Sequence, residues 1–232
     1  IGVSLMLRLL WSVEVAPRGR SDWHDTAVAV IQHGDAAFRH PAAERDARQV
    51  GHQAAVFAVA YSPDGSRLVT GSADKTAGAW DVKTGQSLAS FVGHTAEVRA
   101  VGYSPDGTRV VTASSDTTAA IWDAQSGQRM LVLSGHTQDV LAATYSRDGS
   151  RIATGSADGT VILWDPARGK PLLTLAGHGT VVRSVSFSPD GAHLATAGDD
   201  RTVRIFDAKT GAPQMTIDDT AGGVRSVSYS PD

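Results

Sequence analysis

The chain has 232 residues, 41% of them hydrophobic, which is enough to bury a core and demands no second unrelated domain. Its net charge of −3 argues against a nucleic-acid-binding surface, since such surfaces leave a basic excess. It contains no cysteine, so structural disulfides, thiolate metal sites and cysteine nucleophiles are excluded.

The first 50 residues open on an apolar run, 1–11, that carries Arg8 and is too short to cross a bilayer, which takes about 20 residues. No membrane partner is expected. The rest of the segment matches only loosely the 42-residue repeat that follows it. Set one interval back from the first clear copy, Leu9-Leu10 falls at its Gly-His, Arg20-Ser21-Asp22 at its Ser-Pro-Asp and Phe38 at its tryptophan. Residues 28–31 then read as a second strand and 48–50 as an outer strand, so 1–50 reads as a degenerate copy. The edge of an upstream domain, with a short helix or linker over 41–49, is the alternative. His24, His33 and His40 lie here at no standard metal-ligand spacing.

From residue 51 the repeat is plain. Gly-His occurs at 51–52, 93–94, 135–136 and 177–178, always 42 residues apart. Trp80-Asp81, Trp122-Asp123, Trp164-Asp165 and Phe206-Asp207 keep that interval. So do Ser62-Pro63-Asp64-Gly65, Ser104-Pro105-Asp106-Gly107, Ser146-Arg147-Asp148-Gly149 and Ser188-Pro189-Asp190-Gly191. Three independent series in one register define a repeat architecture. The copies run near 51–92, 93–134, 135–176 and 177–218, with the start of a fifth at 219–232. The chain begins at Ile1 and stops at Ser230-Pro231-Asp232, where earlier copies continue with glycine, so a fragment of a longer reading frame is expected.

Four short strands are predicted in each copy. After Gly-His, alternation such as Val98, Val101 and Tyr103 suits a strand with one inward face. The Ser-Pro-Asp-Gly turn follows, with Pro pre-setting φ and Gly accepting a positive φ. A strand of small and β-branched residues over 109–114 leads into Asp-x-Thr (Asp74-Lys75-Thr76, Asp116-Thr117-Thr118, Asp158-Gly159-Thr160, Asp200-Arg201-Thr202), whose carboxylate can accept backbone N–H groups two residues on. The third strand ends at Trp-Asp, and a turn with Gly85, Gly127, Gly169 or Gly211 opens the fourth. No stretch of 52–232 holds a helical period, so almost no helix is expected there.

These residues resemble the WD40 repeat, whose signature is Gly-His followed by Trp-Asp at this period. The resemblance covers 51–232 and implies that each copy is one blade of a β-propeller with its fourth strand outermost. The fold expected is therefore all-β, a partial β-propeller of four-stranded antiparallel blades. A complete ring of about seven blades is implied, because an open arc leaves strand edges bare.

The resemblance further implies a buried relay in each blade. The indole N–H donates to a hydroxyl two residues before the turn Asp, that hydroxyl meets the His, and the Asp holds the other side of the ring. The relays are then His52, Ser72, Asp74 and Trp80; His94, Ser114, Asp116 and Trp122; and His136, Ser156, Asp158 and Trp164. In the fourth copy His178 and Asp200 remain, but Gly198 lacks the hydroxyl and Phe206 the donor. That blade is expected to be less tightly tied, since a buried polar group without a partner costs roughly 1–3 kcal/mol. The fifth copy has Asp219-Thr220 in place of Gly-His.

Ser, His and Asp in one network also invite a hydrolase reading, since acyl transfer needs a nucleophile, a base and an orienting acid. Three intact copies at equivalent positions, each with a Trp that has no catalytic role, favour a structural network instead. The Gly-His histidines belong to separate blades, each with its own Asp, so they do not converge on a metal. No GxxxxGK[ST] loop is present. No cofactor, metal or small-molecule substrate is expected.

Function should lie in what differs between copies. In the WD40 family the usual contact face is the rim beside the central channel. Positions five after each His there are Phe57, Arg99, Leu141 and Arg183, with Arg225 as the fifth equivalent. Positions three after are Ala55, Glu97, Asp139 and Val181, and the residues before the turn Asp are Ala73, Ser115, Ala157 and Asp199. Apolar anchors beside arginines are the chemistry of interface hot spots. The expectation is a non-catalytic, cytoplasmic scaffold that binds other proteins or peptides. Two alternatives are a regulatory propeller of a larger signalling protein with a kinase or NTPase upstream, and a propeller enzyme with a channel site. The last is disfavoured by the small and apolar Val59, Val101, Ala143 and Val185 on the innermost strands.

Overall fold

Each 42-residue copy folds into its own antiparallel sheet of four strands, joined in chain order. The computed structural model describes residues 28–32, 35–39, 51–218 and 222–230. Blade one is β3 (Val56–Tyr61), β4 (Arg67–Ser72), β5 (Thr76–Asp81) and β6 (Ser87–Val92), following β1 (Val28–Gln32) and β2 (Asp35–Arg39). Blade two is β7 (Val98–Tyr103), β8 (Arg109–Ser114), β9 (Thr118–Asp123) and β10 (Arg129–Ser134). Blade three is β11 (Val140–Tyr145), β12 (Ile152–Ser156), β13 (Val161–Asp165) and β14 (Lys170–Leu175). Blade four is β15 (Val182–Phe187), β16 (His193–Gly198), β17 (Thr202–Asp207) and β18 (Pro213–Asp218). Among the described residues there is no helix, hence none long and apolar enough to cross a membrane.

The first strands of successive blades lie side by side, the second and third are the most buried, and the fourth are exposed outer edges. This is the propeller arrangement. Apolar residues fill the space between blades: Phe91 of blade one tilts against Trp122 of blade two with ring centroids 5.8 Å apart. Leu133 and Trp164, then Leu175 and Phe206, share the next two cores in the same way. Small residues on the second strands let the blades approach, and a Cβ on Gly71 would come within 2.8 Å of the Val98 side chain.

The turns use their polar residues locally. Gly65 has φ 71°, and Asp64 accepts the Ser62 hydroxyl at 2.5 Å and the Ser66 N–H at 3.0 Å. The middle position of Asp-x-Thr is also left-handed, with φ 73° at Lys75, 72° at Thr117 and 66° at Arg201. Only the third copy has glycine there. In every copy the aspartate grips the threonine two residues on by N–H and hydroxyl, at 3.0 and 2.6 Å from Asp74 to Thr76, and where the middle residue is not glycine this holds a conformation costing about 1–2 kcal/mol.

A contact absent from the sequence reading joins blades two and three, and three and four. Arg109 at the start of β8 donates to the Pro166 carbonyl at 3.2 Å, and Arg151 donates to the Ala208 carbonyl. Each carbonyl lies just beyond the next blade's Trp-Asp or Phe-Asp pair.

At the two ends the repeat is only partly realised. β1 and β2 pair as a two-stranded sheet. One repeat interval back from the Val69–Ala79 pair would set Ala27 opposite Ala37, but Ala37 faces Val30, so this hairpin does not carry the blade register. The outer strand expected at 48–50, the 41–49 stretch, Leu9-Leu10, Arg20-Ser21-Asp22, His24, His33, His40 and Asp219-Thr220 lie outside the described residues. At the other end, residues 222–230 run beside β15 without forming a strand. The Ser184 hydroxyl accepts the Val227 N–H at 3.2 Å and the Ser186 hydroxyl accepts that of Tyr229 at 3.3 Å. Val224 and Val227 bury against Ala195, Ala197 and Val203, as Val98 and Val101 bury against Val69 and Ala77 one junction after another along the arc.

Candidate interaction rim and the relays beneath it

The four His-Asp pairs that the resemblance implies are in contact. His52 Nδ1 lies 2.9 Å from Asp74, His94 2.7 Å from Asp116, His136 3.0 Å from Asp158 and His178 2.9 Å from Asp200. The hydroxyl in the relay is a different one from that expected. Trp80, Trp122 and Trp164 each donate their indole N–H at 2.8 Å to Thr70, Thr112 and Thr154, and those threonine oxygens sit 2.7–2.8 Å from the histidine Nε2. Ser72, Ser114 and Ser156 do other work. Their hydroxyls donate to the carbonyls of Ala54, Ala96 and Gln138 and accept the N–H of Asp74, Asp116 and Asp158 at 3.1 Å. They stitch the second turn to the loop after Gly-His.

The reason is geometric. Residues two apart on a strand share a face, so Thr70 and Ser72 both point towards the histidine side. Ser72 is the last residue of β4, whereas Thr70 lies two residues further from that end, within reach of the Trp80 indole N–H. A sequence signal was available: the threonine recurs at 70, 112, 154 and 196 without exception, while the serine series breaks at Gly198.

Blade four is corrected accordingly. Its threonine is present, with Thr196 Oγ1 2.7 Å from His178 Nε2, so Gly198 removes no relay hydroxyl. What is missing is the indole donor at Phe206, and Arg204 Nη2 approaches Asp200 at 3.8 Å. A Cβ on Gly198 would come within 2.8 Å of His178 Nδ1, so the loop has closed into the space a serine would need.

The electrostatics favour a neutral ring and an ionised acid in blade three. Burial pushes the His136 value down against the pull of Asp158. Burial also pushes Asp158 up, but hydrogen bonds from the Thr160 hydroxyl, the Thr137 N–H and the Thr160 N–H outweigh it and hold the carboxyl at about 2. With the ring neutral, the indole donates to the threonine, the threonine to Nε2, and Nδ1–H to the carboxylate, so each hydrogen has its acceptor. The threonines are buried, and in the four relays the histidine nitrogens meet threonine and aspartate, with no serine hydrogen-bonded to them among the described residues. Among the described residues no three His, Asp or Glu converge as a metal site.

Above the relays, a backbone irregularity sets the rim. The pairing of the first and second strands slips between Val56 and Ala58, Val98 and Ala100, Val140 and Ala142, and Val182 and Ser184. The extra residues are Phe57, Arg99, Leu141 and Arg183. A β-bulge inserts one residue that leaves the ladder and re-aims its side chain, so the rim positions are bulge positions.

Two groups of these residues meet: Phe57, Glu97, Arg99 and Ser115 between blades one and two, and Arg183 with Asp199 in blade four. Phe57 is 42% exposed, with the Arg99 guanidinium lying over its ring at 4.4 Å. Arg99 also donates from Nε to the Ser115 hydroxyl at 3.1 Å and pairs through Nη2 with Glu97 at 2.5 Å. Arg183 forms a two-oxygen pair with Asp199, Nε to Oδ1 at 3.0 Å and Nη2 to Oδ2 at 2.5 Å. That hydrogen bond, aided by the charge of Arg225, holds the Asp199 carboxyl below its ordinary range. Asp139 and Leu141 are half-buried, and the Asp139 carboxylate has no hydrogen-bond partner among the described residues.

The family model described as WD domain, G-beta repeat matches residues 46–81, 85–123, 127–165 and 169–207. The chain belongs to the WD40 family. Two curated proteins resemble short stretches of it. Protein Mut11 of Chlamydomonas reinhardtii is 60% identical over 35 residues, 15% of this chain and 10% of that protein. Periodic tryptophan protein 2 of Saccharomyces cerevisiae is 48% identical over 44 residues, 19% of this chain and 5% of that protein. The matches thus span a tenth or less of those relatives. They are about one WD40 repeat long. WD40 propellers are typically non-catalytic protein-binding scaffolds, and this chain shares their repeat and their all-β fold.

Proposed function

We propose that the chain is a non-catalytic platform that holds protein or peptide partners on the rim formed by Phe57, Glu97, Arg99, Asp139, Leu141, Arg183 and Arg225. The observation that carries this reading is Phe57. The ring stands at a bulge, is 42% exposed, and takes no part in any relay or inter-blade core. The relays use the residues that recur; the rim uses those that differ, which is where specificity belongs. An aromatic ring with a planar cation across it offers apolar area and directional donors together.

The test is affinity capture with the wild-type chain beside a Phe57→Ala/Arg99→Ala variant. Loss of captured protein with an unchanged melting midpoint supports the rim. Retention of the same partner by the double variant would move docking to another face.

A further inference from the structure

The repeat supplies an internal comparison for the rim. Arg99 and Arg183 occupy the same bulge position two blades apart, but the residue before the turn Asp is Ser115 in one and Asp199 in the other. In blade four the carboxylate clamps Nε and Nη2 of Arg183 with two oxygens, at 3.0 and 2.5 Å. In blade two the same Nε finds only a hydroxyl, at 3.1 Å, and Nη2 is met by a single oxygen of Glu97. Blade four has Val181 at the Glu97 position, so Glu97 stands in for the carboxylate that blade two lacks. Nη1 of Arg99 has no acceptor among the described residues.

We propose that Arg99, lying on Phe57 between blades one and two, reads an acidic side chain of a peptide partner, while Asp199 keeps Arg183 out of that role. The proposal rests on the rim being the docking face. An incoming carboxylate displaces Glu97 from Nη2 and takes Nη1 as well, forming the planar fork that carboxylates and guanidinium share. Little opposes the exchange, because an exposed single-contact ion pair is worth only a small fraction of a desolvated forked one. The Phe57 ring holds the guanidinium plane in place and offers apolar contact to the residue beside the acid. Arg225 is exposed, and its charge acts on Asp199 with no ion pair between them among the described residues, so it is the second rim cation against which Arg99 is compared.

A random peptide library displayed on phage and panned against the whole chain tests this. The expected peptides share one Asp or Glu next to an apolar residue. Replacing that acid by its amide weakens binding roughly tenfold, the usual size for a charge-assisted contact. Arg99→Gln reproduces the loss; Arg183→Gln and Arg225→Gln do not. Ser115→Asp, which copies the blade-four arrangement, removes the preference for acid while leaving the fold intact by melting midpoint. Peptides that need Phe57 but carry no acid, or whose acid depends on Arg183 or Arg225, overturn the assignment to Arg99 and leave the rim as the docking face. Peptides indifferent to every rim variant, or no enrichment over an uncoated control, overturn the rim reading as well.

Discussion

Trp122 donates its indole N–H to Thr112 Oγ1 at 2.8 Å, and that oxygen lies 2.7 Å from Nε2 of His94. One buried hydroxyl thus connects the third strand of blade two to the loop that enters it. Thr112→Val keeps the shape but leaves the indole and imidazole nitrogens unpaired where water does not reach. The expected cost is about 2–4 kcal/mol in urea unfolding. Ser114→Ala should cost less, about 1 kcal/mol, because the two backbone groups it releases lie in a half-buried loop that water can serve. A serine variant as damaging as the threonine variant would return the relay to Ser114.

The arginine latch makes a second comparison within the repeat. Arg109 donates to the Pro166 carbonyl, whereas Arg67, at the equivalent position, makes no side-chain hydrogen bond to blade two among the described residues. Arg109→Met should therefore lower the unfolding midpoint by about 1 kcal/mol equivalent. Arg67→Met should change it by much less. Equal effects would mean that the latch contributes through packing of the arginine stem alone.

Two glycines in left-handed turns separate conformational cost from steric cost. Gly65 has φ 71° with open space around it, and Gly65→Ala should cost about 1–2 kcal/mol for the backbone alone. Gly127 has φ 72° and its Cβ would stand 2.7 Å from the Ser90 carbonyl oxygen of the preceding blade. Gly127→Ala should cost clearly more and also loosen the first inter-blade junction, seen as faster amide exchange along β6.

Acid should weaken the array. Hydrogen bonds hold Asp158 at about 2 against an ordinary 3.8, so the unfolded chain binds its proton first as pH falls. The stability this carboxylate contributes is present above pH 3.8 and is lost as pH drops towards 2. His136, lowered from 6.5 mainly by burial, adds a loss of the same sign once pH passes below 6.5. Urea midpoints measured from pH 7 to pH 3 should decline throughout, and Asp158→Asn should flatten the lower part of the curve. A midpoint that is constant or rises on acidification contradicts this wiring.

The blades themselves were legible in sequence because each is a self-contained hydrogen-bonding unit. Strand boundaries near 109–114 and the turns at Asp64 and Asp74 follow from the repeat, which superimposes four readings of one pattern, while the four His-Asp pairs were what the WD40 resemblance implied. The relay hydroxyl was misplaced by two residues because period-2 alternation sets Thr112 and Ser114 on one face. Only the depth of the Trp122 indole distinguishes them. The reading of 28–31 as the second strand of a degenerate copy, with Phe38 at its tryptophan position, met a hairpin of another register, since apolar alternation identifies strands without fixing which residues pair.

What the sequence determined unaided was therefore the unit: its length, its four strands, its turns and the residues that recur in it. What tertiary structure decided lies between units. The Arg109 latch, the Phe91–Trp122 contact and the pairing of Arg99 with Phe57 across two blades all join residues that no local pattern relates. The rim itself depends on bulges at Phe57, Arg99, Leu141 and Arg183, and a bulge is a mismatch between paired strands. It exists only once both strands are in place.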